Sequence, residues 1–300
     1  MLEPQQGLSV EDIVGWAEYA EKSGYGYIFR SDHILSMGKT KQGTASPECW
    51  VSLGALAAKT SKIKFGPMVT PIGFRNPAML ARMACTLHSY SEGRLILAVG
   101  AGWYEAEYKA HGYEFPLFKV RKKQFEEALQ IIKPVIEGKR VDFDGEYFSA
   151  HADCYPRPYG GKIHLVGGGR HPKIVKVLGR YVDEWNIFSS SLETVKELKE
   201  ILESSNRKIT ISHMGAFVIA ESKAKLASKV KNYINRMGYI EDPRPEKLVE
   251  KGVLYGTPEE FVEQVNERRK AGIERFYFQL LDPTDKEMVR TLTRTLKEEF

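Results

Sequence analysis

The sequence predicts an α/β fold, and within that class an eight-stranded TIM (β/α)8 barrel with insertions. Three observations carry the prediction. Helical and strand-like segments alternate along all 300 residues, no Pro/Gly/Ser-rich linker divides them, and no G-x-G-x-x-G turn follows a first strand. Alternation implies parallel strands joined by right-handed crossovers. A chain of roughly 250 residues or more has the length to close such a sheet into a barrel. The missing glycine fingerprint counts against the alternative, a doubly wound open sheet. The chain is therefore read as one domain over 1–300, with a hairpin insertion at 138–162. Seven strands follow the N-terminal helix, so the first strand is expected to be truncated, with only Met1-Leu2-Glu3 to supply it.

Each element has its own signal. Ser9-Val10-Glu11-Asp12 is a capping box that opens a helix with Ile13, Val14, Ala17 and Ala20 on one face, stopped at Gly24. Residues 25–30 form a strand. A loop over 31–47 leads to a helix through Leu53, Leu56 and Ala57, and a short strand follows at 63–69. Pro77 suits the first turn of the next helix, which runs to about residue 90. The run Leu95-Ile96-Leu97-Ala98-Val99 is apolar on both faces, as an interior parallel strand requires. Phe125, Ala128, Leu129, Ile132, Val135 and Ile136 repeat at helical spacing up to Gly138. Residues 141–148 alternate about a turn and predict the hairpin. Beyond it come a strand at 163–166, a helix at 172–178, a strand at 184–188, a helix at 191–203 and a long strand at 209–220. Helices are expected at 221–237 and 245–251. Thr257-Pro258-Glu259-Glu260 starts a helix that ends at Gly272, ahead of a strand at 273–281 and a last helix at 286–298.

Composition removes whole classes of function. With 42% hydrophobic and 28% charged residues the chain is neither disordered nor fibrous. No run of 18 uncharged apolar residues exists, and the N-terminus has neither a basic start nor an apolar stretch. No membrane span or signal peptide is expected, and the location is read as cytoplasmic. Cys49, Cys85 and Cys154 are too scattered for a disulfide framework or a zinc site, and no metal is expected. A net charge of +5 spread along the chain does not fit a nucleic-acid binder, although it suits an acidic small ligand. The densest basic run, Lys119-Val120-Arg121-Lys122-Lys123, is read as a solvated helix start. The absence of G-x-S-x-G, H-E-x-x-H and Walker motifs counts against serine hydrolase, zinc protease and P-loop chemistry.

In a barrel, function gathers where strands end, and the strand exits are rich in chemistry. The second strand leaves into Ser31-Asp32-His33, an acid beside an imidazole that titrates near neutrality. The third leaves through Gly66-Pro67-Met68-Val69-Thr70-Pro71 and the fourth through Gly100-Ala101-Gly102-Trp103. The fifth leaves through Gly167-Gly168-Gly169-Arg170, just ahead of a helix, where backbone N–H groups and a guanidinium make a phosphate cradle. His88, His111, His151, His164, His171 and His213 are scattered and are read as structural.

The segments Glu3-Pro4-Gln5-Gln6-Gly7, Phe29-Arg30-Ser31-Asp32-His33, Thr70-Pro71 with Arg75-Asn76-Pro77, Gly93-Arg94-Leu95 leading to Gly100-Ala101-Gly102-Trp103, and Asp183-Glu184-Trp185-Asn186 occur in this order. Together they resemble the luciferase-like flavin and deazaflavin oxidoreductases, most nearly the branch that uses the deazaflavin coenzyme F420. The resemblance implies a TIM barrel with the cofactor ring in its mouth. It places Asp32 and His33 beside the ring, with His33 orienting or stabilising the reacting centre. It places Pro67 and Met68 in a bulge propping the ring, with a cis peptide expected between them. Thr70 would hydrogen-bond the cofactor. Gly100, Ala101 and Gly102 would allow it close approach, and Gly167, Gly168, Gly169 and Arg170 would hold its phosphate.

The departures from the family pattern also speak. Trp103 stands where sugar-phosphate dehydrogenases of the family carry a glutamate, and Met37 where they carry an aromatic residue. Met37, Trp103, Trp185 and Phe188 are therefore expected to line a pocket for an apolar or aromatic substrate, with Trp50 as filler. The function expected is hydride transfer between F420 and a small organic substrate. The alternatives are a two-component monooxygenase using FMN, dioxygen and a separate flavin reductase, and a flavin-binding protein without turnover. A homodimer is expected, with no nucleic-acid or membrane partner.

Overall fold

The computed structural model describes residues 1–37, 46–153, 155–237, 248 and 250–300. Helices and parallel strands alternate along the chain. Helix α1 (Val10–Lys22) precedes strand β1 (Tyr27–Arg30), and α2 (Cys49–Lys59) leads to β2 (Lys64–Pro67) and the two-residue β3 (Thr70–Pro71). Next come α3 (Pro77–Tyr90), β4 (Leu97–Gly100), a short α4 (Glu105–Ala110) and the long α5 (Phe118–Ile136). Strands β5 (Val141–Asp144) and β6 (Ser149–Ala152) follow, then β7 (Leu165–Gly168), α6 (Pro172–Tyr181), β8 (Glu184–Phe188) and α7 (Leu192–Glu203). The last part holds β9 (Thr210–Ile219), α8 (Lys223–Met237), β10 (Leu254–Gly256), α9 (Pro258–Lys270), β11 (Arg275–Gln279) and α10 (Lys286–Glu299).

Local chemistry explains most of the boundaries. The Ser9 hydroxyl accepts from Asp12 N at 3.1 Å while the Asp12 carboxylate accepts from Ser9 N at 2.9 Å, so the capping box at α1 is formed. Asn76 accepts from Ala78 N at 3.0 Å, and Pro77 fills the first turn of α3. The hairpin β5–β6 pairs antiparallel inside the expected insertion. Its turn is tied to α5 by the buried Glu127 carboxylate, which accepts from Glu146 N, Tyr147 N and Phe148 N at 3.0, 2.8 and 3.2 Å.

One sheet runs β10-β9-β8-β7-β4-β3, with β11 also paired to β9, and every pairing in it is parallel. Strand β9 is long enough to serve two partners on one edge, β11 along 212–216 and β10 along 217–219. Strands β1 and β2 pair with each other, and Phe65 bridges to Leu95 just ahead of β4. Leu2 makes parallel bridges to Arg30 and to Leu280, on two different strand ends. Leu2 N donates to Phe29 O at 2.8 Å, and the N-terminal ammonium donates to Phe278 O at 3.0 Å. The expected first strand is thus present as bridging residues.

Two apolar clusters hold the fold. The larger lies between sheet and helices and includes Ile13, Leu53, Leu80, Leu97, Phe125, Ile132, Leu178, Ile187 and Leu254. A smaller one groups Phe29, Met68, Ile96, Ala98, Val166 and Tyr277 from five strand regions. Parallel pairing sends all the strand ends of this sheet to one side, so the polar exits meet there. No helix among the described residues is long and apolar enough to cross a membrane.

Three expectations need amendment. Strands 25–30 and 63–69 shrink to Tyr27–Arg30 and Lys64–Pro67, because the ladder covers only those residues. Helix α4 and strand β10 had no strong pattern, α4 being six residues long and β10 three. Most of the helix expected at 245–251, and Cys154, lie outside the described residues.

Candidate active site

The exit of β1 places an acid and an imidazole in separate networks. Asp32 is 2% exposed. It accepts from Arg75 Nη1 at 2.6 Å, from Arg75 Nη2 at 3.3 Å and from Thr70 Oγ1 at 2.9 Å. Arg75 also pairs with Glu48, and Trp50 Nε1 donates to Thr70 Oγ1 at 3.2 Å. Burial raises the Asp32 pKa more than Arg75 and Thr70 lower it, and Glu48 adds to the rise. The Thr70 hydroxyl spends its proton on Asp32, so the hydrogen bond to cofactor expected of it would have to use its oxygen as acceptor. Trp50 is buried, the filler expected, and its indole N–H completes this network.

His33 turns the other way. Its Nδ1 lies 2.9 and 3.1 Å from the two carboxylate oxygens of Glu107, which also accepts from Ile34 N at 3.1 Å. Glu107 comes from α4, and its side chain is 1% exposed against 17% for His33. Burial lowers the His33 pKa, but the Glu107 hydrogen bond and charge, with Glu3 and Asp32 behind them, more than reverse this, and the net shift is upward. Nδ1 must carry a proton to meet a carboxylate, so the titrating position is Nε2. The ring stands edge-on to Trp103 at 5.8 Å and to Tyr104 at 6.2 Å. Glu107 escaped the sequence reading. An acid four residues beyond Trp103, on the same strand exit, was the available signal.

The bulge after β2 differs from expectation by one residue. Pro67 pairs with Arg30, and Met68 N still donates to Arg30 O at 2.8 Å, so the strand geometry persists through Met68. The cis peptide accordingly joins Met68 to Val69 rather than Pro67 to Met68. Met68 belongs to the smaller apolar cluster and is 2% exposed.

The glycines first make room for the chain itself. A Cβ on Gly100 would lie 2.6 Å from Val69 Cγ2, and one on Gly168 would lie 2.8 Å from Val69 Cγ1. One on Gly167 would strike Leu178 Cδ2 at 2.2 Å, and one on Gly169 would meet Ile174 Cγ2 at 2.8 Å. Gly102 has φ +77, and an added Cβ there would lie 2.2 Å from Tyr108 Oη. Val69 thus sits against the exits of β4 and β7 and holds them together. Ala101 beside it is half-buried.

On the far side of the rim, Arg170 is exposed and borders a cavity of about 400 Å³ with Phe188, Ser189, Ser190, Ser191 and Gln279. Gln279 Nε2 donates to Glu3 at 2.6 Å, Gln5 Nε2 to Glu3 at 2.6 Å and Ser31 Oγ to Gln5 at 2.7 Å, which ties this side back to the residue before Asp32. The rim therefore brings together Asp32, His33, Thr70 and Trp103 on one side, and Arg170 with Phe188 on the other. Trp103 is 66% exposed and Phe188 40%. Met37 is half-buried. Trp185 departs from expectation. It is fully buried in the core, with its indole N–H donating to Gly169 O at 2.7 Å, so it braces the β7 exit and does not line an open pocket.

A family model for luciferase-like monooxygenases matches residues 2–275. The chain belongs to this family. An F420-dependent glucose-6-phosphate dehydrogenase of Amycolatopsis mediterranei is 32% identical over 175 residues, covering 57% of this chain and 51% of that protein. This luciferase-like chain thus spans about half the length of the curated relatives it matches. Among solved structures, an F420-dependent secondary alcohol dehydrogenase in complex with an F420-acetone adduct superposes with a TM-score of 0.80 at 22% identity, covering 98% of this chain and 96% of the other. The oxygenating constituent of 3,6-diketocamphane monooxygenase of Pseudomonas putida, in complex with FMN, gives 0.76 at 21% identity and covers 98% and 94%. Both are likenesses of fold.

Proposed function

We propose that this luciferase-like protein is a deazaflavin-dependent oxidoreductase that moves a hydride between coenzyme F420 and a small apolar or aromatic substrate. The observation that carries this reading is His33, held by the buried Glu107 beside Trp103 on the same rim as the Arg170 cavity. The parallel pairings, with Leu2 bridging to Arg30 and Leu280 and Phe65 bridging to Leu95, support closure of the strands into a (β/α)8 barrel with this rim as its mouth.

The residues present fit the cofactor. An exposed guanidinium that shares a cavity with Ser191, the N-cap of α7, suits a phosphate. Arg170 would hold that phosphate and the Val69 bulge would support the ring; the glycines expected to cradle the phosphate are spent otherwise, Gly167 and Gly168 inside the ladder between β4 and β8 and Gly169 N on Asn186 O at 3.3 Å. When bound, the deazaflavin supplies the hydride donor or acceptor. His33 contributes a proton held at Nε2, whose charged form Glu107 favours, and it points a polar group at the reacting centre. Asp32, tied to Arg75, Thr70 and through Arg75 to Glu48, keeps the loop that carries His33 in place. Exposed Trp103 and Phe188 offer aromatic surface for a substrate and exclude water around it. Catalysis rests chiefly on holding two reactants in contact.

A second reading, reduced FMN with dioxygen and a flavin reductase, draws support from the FMN complex of the same fold. Titration of the protein with F420 and with FMN, followed by ligand fluorescence, separates the two. Tighter binding of F420, weakened about tenfold by Arg170→Ala, is the expected result. Binding of FMN alone would overturn the F420 reading.

A further inference from the structure

A cavity of about 240 Å³ lies between β1, β11, α1 and α10. Leu2 bridges the lines of the two strands only at Arg30 and at Leu280. Ahead of those points β1 pairs with β2 and β11 with β9, and no ladder among the described residues joins β1 to β11. The cavity occupies that gap. Its wall takes Tyr27 and Phe29 from β1, Phe276 and Phe278 from β11, and Trp16 and Tyr19 from α1, while α10 adds Leu292 and Leu296. Asp32, His33, Thr70, Arg75, Trp103 and Arg170 are not part of it.

The chemistry of the wall defines what fits. No charged side chain lines the cavity. Two of its hydroxyls are committed to protein partners, Tyr25 Oη sharing a hydrogen bond with Thr293 Oγ1 at 2.9 Å and Tyr277 Oη donating to Glu184 at 2.8 Å. The Met1 nitrogen donates to Phe278 O at 3.0 Å. Burial lowers its pKa to about 6 against an opposing pull from Glu3, so above that pH it adds no charge to the wall. What faces the space is ring surface. Trp16 stands edge-on to Tyr19 at 5.6 Å and Phe276 lies nearly parallel to Phe278 at 6.2 Å, so the walls offer both the edges and the faces that aromatic pairs use. A water molecule finds few of the polar partners it needs here, and an unfilled gap leaves the lining atoms without dispersion contacts. Trp16, Tyr19, Tyr25, Tyr27 and Phe276 are only half-buried, so the space is within reach of solvent.

We infer that this cavity binds a small uncharged aromatic molecule, at a site separate from the proposed hydride-transfer mouth. The volume is sufficient, since an apolar cavity of roughly 150 Å³ already accommodates benzene.

The test is calorimetric titration of the full chain at neutral pH with toluene and with benzoate, a ring of similar size that carries a charge. The expected result is saturable binding of toluene, at least roughly tenfold tighter than that of benzoate, because the wall has no group to repay the desolvation of a carboxylate. Ala20→Phe extends a ring from α1 into the cavity and should weaken toluene binding at least roughly tenfold, while Trp103→Ala should leave it unchanged. Should Ala20→Phe fail to fold, Gly26→Leu carries the same test, since Gly26 lines the cavity and an added Cβ there meets nothing within 4 Å. The inference is overturned if toluene does not bind saturably, if benzoate binds as tightly, or if the filled variants keep full affinity. It is equally overturned if Trp103→Ala abolishes the binding, which would place the ring at the rim.

Discussion

Two buried glutamates, one at each end of the same parallel strands, carry three hydrogen bonds apiece and do different work. At the ends where the strands begin, Glu184 is fully buried and accepts from Arg275 Nη1 at 2.5 Å, Tyr277 Oη at 2.8 Å and His164 Nε2 at 3.1 Å. Burial opposes its charge, yet these donors outweigh burial and keep its carboxyl below the usual range. Tyr277 is buried, while Arg275 and His164 are each about a third exposed. At the ends where the strands finish, Glu107 is just as buried, but one of its partners is His33, whose pKa is raised and whose other nitrogen is left to titrate. The same element of chemistry, a desolvated carboxylate, thus fixes structure where it gathers an arginine, a tyrosine and a histidine at the strand starts, and tunes reactivity where it holds an imidazole against the aromatic residues of the exits.

The largest effect should come from removing the carboxylate at the strand starts. Glu184→Ala leaves the buried Tyr277 hydroxyl without its acceptor and Arg275 without its partner, and should cost about 2–4 kcal/mol of stability, read from urea denaturation. A loss below about 1 kcal/mol would show that the two ends do not differ in this way. His33→Gln keeps a donor for Glu107 but removes the titrating nitrogen. Hydride transfer should slow roughly a hundredfold or more, while cofactor affinity and the urea midpoint stay near those of the parent protein. The parent's rate should change as pH rises through the raised His33 pKa, above 6.5, and that inflection should be absent from the variant. A rate unaffected by the substitution removes His33 from the chemistry.

The smallest effect belongs to a histidine in neither network. His213 is 1% exposed, its Nε2 has no partner among the described residues, and burial with Arg268 nearby holds its pKa at about 3. The unfolded chain binds a proton there near pH 6.5 and the folded chain does not, so stability is lost as pH falls below that value. At pH 5 the loss is about 2 kcal/mol. His213→Leu should flatten that part of the stability curve between pH 7 and 5. An unchanged slope would assign the acid sensitivity to other groups, such as His88, whose pKa burial lowers to about 4.

The division between the ends also marks what could be seen from sequence. Helix starts were legible because their signals act within one turn, as the Ser9–Asp12 box and Pro77 in the first turn of α3 show. Strand exits were legible because glycine and polar residues cluster there. The pairing of His33 with Glu107 joins residues 74 positions apart through a six-residue helix, and no local pattern encodes it. Trp185 and Trp103 look alike in sequence, yet one is buried beneath Gly169 and the other exposed at the rim, a difference decided by which face of a strand or loop each occupies. The glycines were legible as sites of close approach, but not that Val69, Leu178, Ile174 and Tyr108 would be what approaches.

Hydrogen exchange of the protein with and without F420 tests the central claim most directly. Protection confined to 31–37, 68–70, 100–107 and 167–170, with the segments around His164, Glu184 and Arg275 unchanged, is the result expected if the rim holds the cofactor. Protection at the Glu184 end, or none at the rim in the presence of saturating cofactor, would contradict it.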